Sequence, residues 1–338
     1  MIEIRQIKNK EEWEKFLSKQ KFCPMTQSTK YGVFYEQMNE ESFILGLYEN
    51  ENLVFGSLIL SIHARRGNFL FLPYGPIGEQ KKEYIELFFT ELKKIAEQKK
   101  YSFLRISPFI ENTKENREVY ENFGFKLAPI HILAETTWLL DLENSEEDTL
   151  KQMNKNHRNL IKRCEKEGVK IEITNNIEEL KDFNNLHDFT AKKHNFTRFS
   201  NDYIKKEFQN FLPNEVLLFK AFLPDGKLDA AAVIYFYKNM AAYRHGASLN
   251  LNNKIPSSYL LQWTAIKEAK KRGIKYYNFW GIAPDNAKDN HPFKGITHFK
   301  KGFGGFKLDL LPCHDLMISK KYFINLIIEK IRAKKRGF

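Results

Sequence analysis

One ordered series of predicted elements occurs twice in this chain, and this duplication limits the possible fold more than any other feature. Each copy consists of a hairpin, a third strand, an amphipathic helix and a closing strand that runs into a proline. The copies cover 42–108 and 215–284. Because so long an ordered match rarely arises by chance, the sequence predicts a duplicated α/β unit, each half a mixed sheet covered by helices.

The first copy changes from strand periodicity to helix periodicity and back. Alternating apolar residues over 42–62 predict two strands around an Asn/Glu turn, and 68–76 predicts the third strand. Apolar residues at helical spacing then indicate a helix, and the strand 101–108 closes the copy. These helix positions are Ile85, Phe88, Phe89, Leu92 and Ile95.

The second copy repeats the same order. Its hairpin, 215–237, turns at a Pro-Asp-Gly sequence, and the strand 241–248 follows. Its helix ends at Gly273, which suits a left-handed cap because glycine has no Cβ. The strand 275–284 closes the copy, and a further helical segment, roughly 145–167, lies between the two copies.

The charge balance favours an anionic partner. The 338 residues include 54 Lys and Arg against 42 Asp and Glu, a formal net charge of +12. Such a surplus is typical of proteins that bind nucleic acid, a phosphorylated substrate or an anionic membrane; a basic but inert surface is the alternative. The three cysteines lie far apart, which favours a reducing cytoplasm over a disulfide framework. No signal-peptide core and no apolar run of roughly 18 residues is present, so we expect a soluble protein.

A stripe of cations crosses the helical segment between the copies. Like charges three or four residues apart repel one another on a helix unless a polyanion neutralises them, so the stripe predicts contact with phosphates. A solvated face relieved by Glu165 and Glu167 is the alternative. The cations are Lys151, Lys155, Arg158, Lys162 and Lys166.

A second cationic feature, 291–305, combines Lys294, Lys300 and Lys301 with three glycines. Glycines let backbone N–H groups approach an anion, and lysines add charge, so the stretch is a candidate anion site; a tight turn is the alternative. It matches neither a Walker A loop nor the loop that holds acetyl-CoA in ordinary acetyltransferases. The nine histidines have no metal-ligand spacing, so we expect no metal site.

The last helical pattern, 320–335, is basic and amphipathic. It places Phe323, Leu326, Ile327 and Ile331 on one side, with Lys and Arg around them. Such a helix can lie on an anionic bilayer or pack on the first domain. We expect packing.

Six segments of the chain follow one another in the order found in a known protein family. They are LPYGPIG (72–78), TTWLLDL (136–142), MNKNHRNLIKRCEKEGVKI (153–171), YRHGAS (243–248), FWGIAP (279–284) and GITHFKKGFGG (295–305). Together they resemble the FemABX family, the tRNA-dependent aminoacyltransferases that build peptidoglycan cross-bridges. The resemblance covers nearly the whole chain and implies two tandem GNAT-like subdomains. The first comprises 1–145 with a returning segment 311–338, and the second comprises 146–310.

The resemblance also implies the reaction and the partners. The enzyme would move an amino acid from aminoacyl-tRNA to the stem-peptide amine of a peptidoglycan precursor, either UDP-MurNAc-pentapeptide or lipid II. We expect a cytoplasmic monomer without a metal or dissociable cofactor, with peripheral contact at the inner membrane face as an option.

Site residues follow from the same resemblance. Lys300 matches the family's catalytic-region lysine, Lys301 is the neighbouring candidate, and Tyr243 matches a site tyrosine. The residues expected to bind the precursor are Arg198, Tyr203, His245, Tyr74, Arg105 and Phe299. The candidates for binding tRNA are Lys151, Lys155, Arg158 and Lys162.

Two departures from the family pattern bear on these expectations. The long helical arm of some members is absent between Tyr203 and Val216, so the chain is similar to the compact members. Ser107 stands where the family often has an aspartate, which leaves the general base unidentified. Two other functions stay open: a GNAT-type N-acyltransferase that uses acyl-CoA on a small amine, and a non-catalytic RNA-binding protein.

Overall fold

The chain divides into two compact units. The first comprises Met1–Glu135 with Asp309–Phe338, and the second comprises Thr136–Leu308. This division lies before the predicted boundary at 145/146, because the strand Thr136–Asp141 pairs with a strand of the second unit. The computed structural model describes residues 1–64, 67–194, 197–285, 287 and 293–336.

The elements of both predicted copies occur along the chain in the predicted order. The strands are β1 (Ile2–Gln6), β2 (Glu41–Glu49), β3 (Asn52–Ile62), β4 (Phe69–Tyr74), β5 (Ile77–Gly78), β6 (Phe103–Pro108), β7 (Lys126–Leu127), β8 (Thr136–Asp141), β9 (Lys170–Thr174), β10 (Val216–Phe222), β11 (Leu228–Tyr237), β12 (Met240–Ser248), β13 (Tyr276–Gly281), β14 (Phe306–Asp309) and β15 (His314–Met317). The helices are α1 (Lys10–Ser18), α2 (Thr29–Gln37), α3 (Lys82–Gln98), α4 (Lys114–Phe123), α5 (Glu146–Gln152), α6 (Lys155–Lys166), α7 (Leu180–His194), α8 (Asn201–Phe211), α9 (Ser257–Lys271), α10 (Lys294–Lys301) and α11 (Tyr322–Arg336).

The first unit contains a mixed sheet in the order β1-β2-β3-β4-β6-β15-β7, with β5 paired to β3. The hairpin strands β2 and β3 are antiparallel, β3 and β4 are antiparallel, and β4 and β6 are parallel. The parallel pair needs a crossover connection, which α3 supplies. The C-terminal strand β15 lies between β6 and β7, so the end of the chain completes the first sheet.

The second unit repeats this arrangement in a sheet of the order β14-β8-β13-β12-β11-β10-β9. Here β10, β11 and β12 are successive antiparallel neighbours, and β13 lies parallel to β12 after the crossover helix α9. Gly273 follows this helix at a φ of +71°, as the predicted cap requires. The predicted duplication of two mixed sheets flanked by helices is confirmed.

Each unit has its own hydrophobic core between its sheet and its helices. The crossover helix of the first unit buries Ile85, Phe88 and Leu92, and that of the second buries Leu261 and Ile266. Each buried side chain of this kind stabilises the fold by about 1.5–3 kcal/mol. None of the helices within the described ranges is both long and apolar enough to cross a membrane.

The helical segment predicted at 145–167 consists of two helices rather than one. α5 ends at Gln152 and α6 begins at Lys155, because Met153 adopts an extended conformation between them. Lys151 therefore lies on α5, whereas the other cations of the predicted stripe lie on α6. The stripe is interrupted at this turn.

Candidate active site

A bulge in β12 sets the positions of three consecutive side chains. Tyr243 is opposite Ile234 and His245 is opposite Val233, so Arg244 is an extra residue in this strand. A bulge of this kind redirects side chains and is frequent next to functional sites. Burial raises the pKa of Tyr243 to about 12, so its hydroxyl keeps its proton at neutral pH.

The neighbouring strand β13 is irregular near its end as well. The pairing with β8 shifts between Asn278 and Gly281, and Trp280 adopts a left-handed conformation with a φ of +66°. The backbone N–H of Trp280 donates to the Asn278 side chain over 2.7 Å, which stabilises this rare conformation. The carbonyl of Gly281 is thereby directed towards α10.

The predicted lysine of α10 lies close to the irregular parts of both strands, the bulge of β12 and the end of β13. The Nζ of Lys300 donates a hydrogen bond of 2.5 Å to the carbonyl of Gly281 and lies 5.9 Å from the ring centroid of Tyr243. Lys300 is buried, and no carboxylate of the described residues forms an ion pair with it. Burial disfavours the ammonium form and lowers the pKa of Lys300 to about 7. The two residues predicted to lie together are therefore neighbours, and the lysine is poised to exchange a proton.

A buried polar cluster occupies the space between β12 and α8. Glu207 accepts hydrogen bonds from Arg244 over 3.2 Å, from Tyr235 over 3.2 Å and from His245 over 2.6 Å. Burial alone would raise the pKa of Glu207, but the charges of Arg244 and His245 outweigh it and lower that pKa to about 2. The hydroxyl of Tyr203 accepts from Arg244 over 3.3 Å and joins the cluster.

Two members of this cluster, Glu207 and Arg244, were missed by the sequence analysis. Glu207 lies on the buried side of α8 together with Ile204, Phe208 and Phe211. A lone acid on the apolar side of an amphipathic helix is the signal that points to such a buried partner. The bulge that turns Arg244 inward has no comparable signal in the sequence.

Arg198 pairs with side chains of the protein itself. Its guanidinium pairs with Asp188 over 2.5 Å and donates to Asn201 over 2.6 Å. Phe199 stacks on Tyr203 with ring centroids 4.3 Å apart. Arg198 is thus held within the segment before α8, whereas Tyr203 connects that segment to the buried cluster.

Two predicted precursor-binding residues of the first unit are core residues instead. Arg105 is buried, and its guanidinium makes four hydrogen bonds to the carboxylates of Asp315 and Glu329. Tyr74 is buried too, and its hydroxyl donates to the carbonyl of Ala134 over 3.0 Å. Both predictions are corrected, because these polar groups are already used to hold the first unit together.

Phe299 and Lys301 flank the central lysine but differ from it. Phe299 is half-buried and packs edge-on against Tyr259 and Phe303 at the border of the core of the second unit, and its contact with the precursor stays a prediction. Lys301 is partly exposed, with its Nζ 5.4 Å from the ring centroid of Trp138. Its Nζ also lies 3.8 Å from the carboxylate of Asp285, so Lys301 is a partly exposed, paired lysine on the same helix and a useful control for the buried Lys300.

The four predicted tRNA-binding residues have different environments. Lys155 and Lys162 are exposed on α6. Lys151 pairs with Glu147 over 2.9 Å, and Arg158 donates to backbone carbonyls at the end of α5. Arg158 therefore caps the C-terminal end of α5, and its contact with tRNA stays a prediction.

Buried His157 joins α6 to α10. Its Nε2 donates to the carbonyl of Phe299 over 2.9 Å, and its ring packs edge-on against Tyr259 and Phe303. Burial lowers the pKa of His157, so the imidazole is neutral at physiological pH. The exposed cations of α6 are in this way held in a fixed relation to the helix that carries Lys300.

Two repeated mixed sheets, each with a parallel strand pair joined by a crossover helix, define a tandem GNAT-like protein. A tandem GNAT protein from the clavulanic acid biosynthesis pathway has this fold, with a TM-score of 0.58 and 10% identity over 94% of this chain and 99% of that one. The crystal structure of FemX agrees more closely, with a TM-score of 0.85 and 16% identity over 97% of this chain and all of the other.

The family follows from the sequence comparison. The model of the FemAB family matches residues 9–224 and 220–330, so the chain belongs to the FemAB family. Aminoacyltransferase FemA of Staphylococcus epidermidis is 22% identical over 78% of this chain and 84% of its own length. Lipid II:glycine glycyltransferase of Staphylococcus haemolyticus is 21% identical over 75% of this chain and 77% of its own length.

Proposed function

We propose that this protein is an aminoacyltransferase that moves an amino acid from aminoacyl-tRNA to the stem-peptide amine of a peptidoglycan precursor. The names of its relatives support aminoacyl transfer onto a cell-wall precursor, and membership of the FemAB family supports the same assignment. The observation that carries the proposal is the buried Lys300, whose pKa of about 7 suits proton exchange beside Tyr243.

The reaction makes limited demands on the enzyme because the aminoacyl ester is already activated. The acceptor nitrogen attacks the ester carbonyl, the carbon–oxygen bond to the tRNA ribose breaks, and an amide forms. The amine loses a proton and the ribose oxygen gains one. Alignment of a neutral amine, stabilisation of the oxyanion and transfer of this proton are therefore the tasks left to side chains.

Lys300 suits two of these tasks. In its neutral form it takes the proton from the attacking amine, and in its charged form it stabilises the oxyanion. Ser107 is buried and does not supply a carboxylate in place of the family's aspartate. Lys300 therefore fills the role of general base that the sequence left without a candidate, and Tyr243 donates a hydrogen bond from its protonated hydroxyl.

The substrates are assigned to separate parts of the second unit. Lys155 and Lys162 supply exposed cations for the phosphates of the tRNA donor. Tyr203, at the edge of the cluster around Glu207, contacts the precursor, and Arg198 positions the segment that carries Tyr203. His245 is buried and bonded to Glu207, so it holds this cluster in place rather than contacting the precursor as predicted. Either UDP-MurNAc-pentapeptide or lipid II fits this assignment.

The reaction is tested by incubating the purified protein with a mixture of charged tRNAs and each precursor, followed by mass spectrometry. We expect a precursor product heavier by one amino-acid residue. Unchanged precursor with every charged tRNA, or consumption of acyl-CoA instead, would refute the proposal.

The role of Lys300 is tested by comparing it with its neighbour. Lys300→Met and Lys300→Arg should each lower kcat by at least about 100-fold, because neither side chain accepts a proton near neutral pH. Lys301→Ala should stay within about threefold of the wild type. If Lys300 acts as a base, kcat/KM of the wild type rises with pH through about 7, where burial places its pKa. Full activity of Lys300→Arg would indicate a purely electrostatic role.

A further inference from the structure

The C-terminal helix α11 buries a side that carries polar residues and exposes a side that carries apolar residues. Tyr322, Asn325 and Glu329 are buried. With about 100° between successive residues, the exposed apolar residues lie on the opposite side of the helix. They are Phe323, Ile324, Ile327 and Ile331, with exposed fractions of 49%, 57%, 60% and 53%. The helix packs on the first unit as expected, but it does so through its polar side, and the apolar side faces solvent.

A buried ion-pair network explains this orientation. Arg105 of β6 pairs with Glu329 over 2.7 Å and with Asp315 of β15 over 2.7 Å. The hydroxyl of Tyr322 donates to Asp315 over 3.1 Å. Rotating the helix to bury its apolar side would leave these charges unpaired in the interior, which costs more than exposing the apolar side chains.

The exposed charges that the segment 318–334 itself contributes beside this strip are all positive. Glu329 is the sole acid within 318–334, and its carboxylate is used by Arg105. The exposed cations are Lys320, Lys321, Lys330, Arg332 and Lys334. An apolar strip bordered by cations complements an anionic lipid surface, where aliphatic side chains enter the acyl boundary and lysines meet phosphates. A second copy of the same face would instead bring like charges together.

We infer that α11 binds the protein peripherally to a bilayer that contains anionic lipid, with the strip of Phe323, Ile324, Ile327 and Ile331 inserted at the headgroup boundary. The helix lies in the plane of the interface rather than across the bilayer. This inference concerns the first unit and does not depend on the proposed reaction.

Vesicle flotation of the full-length protein tests this inference. The wild type should float with vesicles of phosphatidylcholine and phosphatidylglycerol, and high salt should weaken the association. The double variant Ile324→Glu/Ile327→Glu should bind more than about tenfold more weakly, because charged side chains replace the inserted ones. Lys320→Ser/Lys321→Ser should lower binding about 30-fold on the anionic vesicles.

Matched controls separate this helix from general surface effects. Ile173→Glu changes an exposed isoleucine of the second unit, and Lys93→Ser/Lys170→Ser removes two exposed lysines elsewhere; both should bind like the wild type. Circular dichroism and the unfolding midpoint establish that each variant is folded. The inference is overturned if the wild type does not bind anionic vesicles or binds pure phosphatidylcholine vesicles equally well. It is also overturned if the control variants lose as much binding as the α11 variants, or if the strip instead forms a dimer that Ile327→Glu disrupts.

Discussion

Replacing Gly246 with alanine tests the geometry around Tyr243, because at this position the tyrosine ring itself stands in the way. An added Cβ would lie 1.9 Å from the hydroxyl oxygen of Tyr243, 2.4 Å from its Cζ and 2.5 Å from one Cε. Ordinary contact begins at 3.4 Å, so the hydroxyl must retreat by about 1.5 Å, the difference between the two distances. Gly246 itself has no positive φ, so alanine strains only this contact.

The displaced ring has a cost in stability and in activity. Forcing extra atoms into a packed region costs about 1–3 kcal/mol, so Gly246→Ala should lower the free energy of unfolding by about 2 kcal/mol. Displacing the ring from its present position beside Lys300 should also lower kcat at least tenfold, which corresponds to about 1.4 kcal/mol of transition-state stabilisation. Urea unfolding and the transfer assay measure the two effects separately.

A double-mutant cycle with Tyr243→Ala decides whether the clash with the tyrosine ring causes the losses of stability and activity in Gly246→Ala. In that background the space beside residue 246 is empty, so Gly246→Ala should change neither stability nor kcat by more than a few tenths of a kcal/mol. Equal effects in both backgrounds would refute the reasoning, because the damage would then come from the backbone and not from the ring.

Further variants test buried ion pairs and one close packing contact. Glu207→Gln should lower the free energy of unfolding by about 3 kcal/mol at neutral pH, because it removes the carboxylate that neutralises the buried guanidinium of Arg244. This difference should shrink as pH falls from 4.5 to about 2, where folded Glu207 takes up its proton, and urea unfolding at several pH values measures it. Arg105→Met should cost about 3–5 kcal/mol, because it removes the cation between two buried carboxylates, and the cost should be greater at alkaline than at acidic pH, since burial favours the protonated form of Asp315. Gly302→Ala places a Cβ 1.9 Å from the ring of His157, so it should lower Tm, and His157→Ala should relieve the clash.

The repeated fold was predictable because its signals are local. Alternating apolar residues at 42–62 and 215–237 indicate hairpins wherever one face of a sheet is buried, and a helix followed by a strand indicates a parallel crossover. The pairing of Lys300 with Tyr243 was predicted by family resemblance, and the structure brings the two together. The structure divides the chain before the predicted boundary at 145/146, because β8 pairs with β13, which lies far along the chain, and no local pattern reveals that contact.

The candidate site was harder to predict because a residue type does not indicate whether its polar group is free. Arg105 and Arg158 are cations in suggestive positions, yet one neutralises buried carboxylates and the other caps a helix. Glu207 is a single acid outside any recognisable motif, so the sequence did not indicate its role. In the structure its carboxylate accepts hydrogen bonds from three buried neighbours. Such roles depend on partners from distant segments.

The order of apolar and turn residues by itself determined the duplicated unit and its two mixed sheets. This was possible because the spacing of apolar residues that distinguishes a strand from a helix is set by residues close together in the sequence. Only the tertiary structure decided how charge is used. It buries Lys300 where no carboxylate of the described residues pairs with it, and this burial lowers the pKa of Lys300 to about 7. It also pairs Glu329 with Arg105 and thereby turns the apolar side of α11 outward. Desolvation and ion pairing depend on which groups meet in space, and that information is spread over the whole chain.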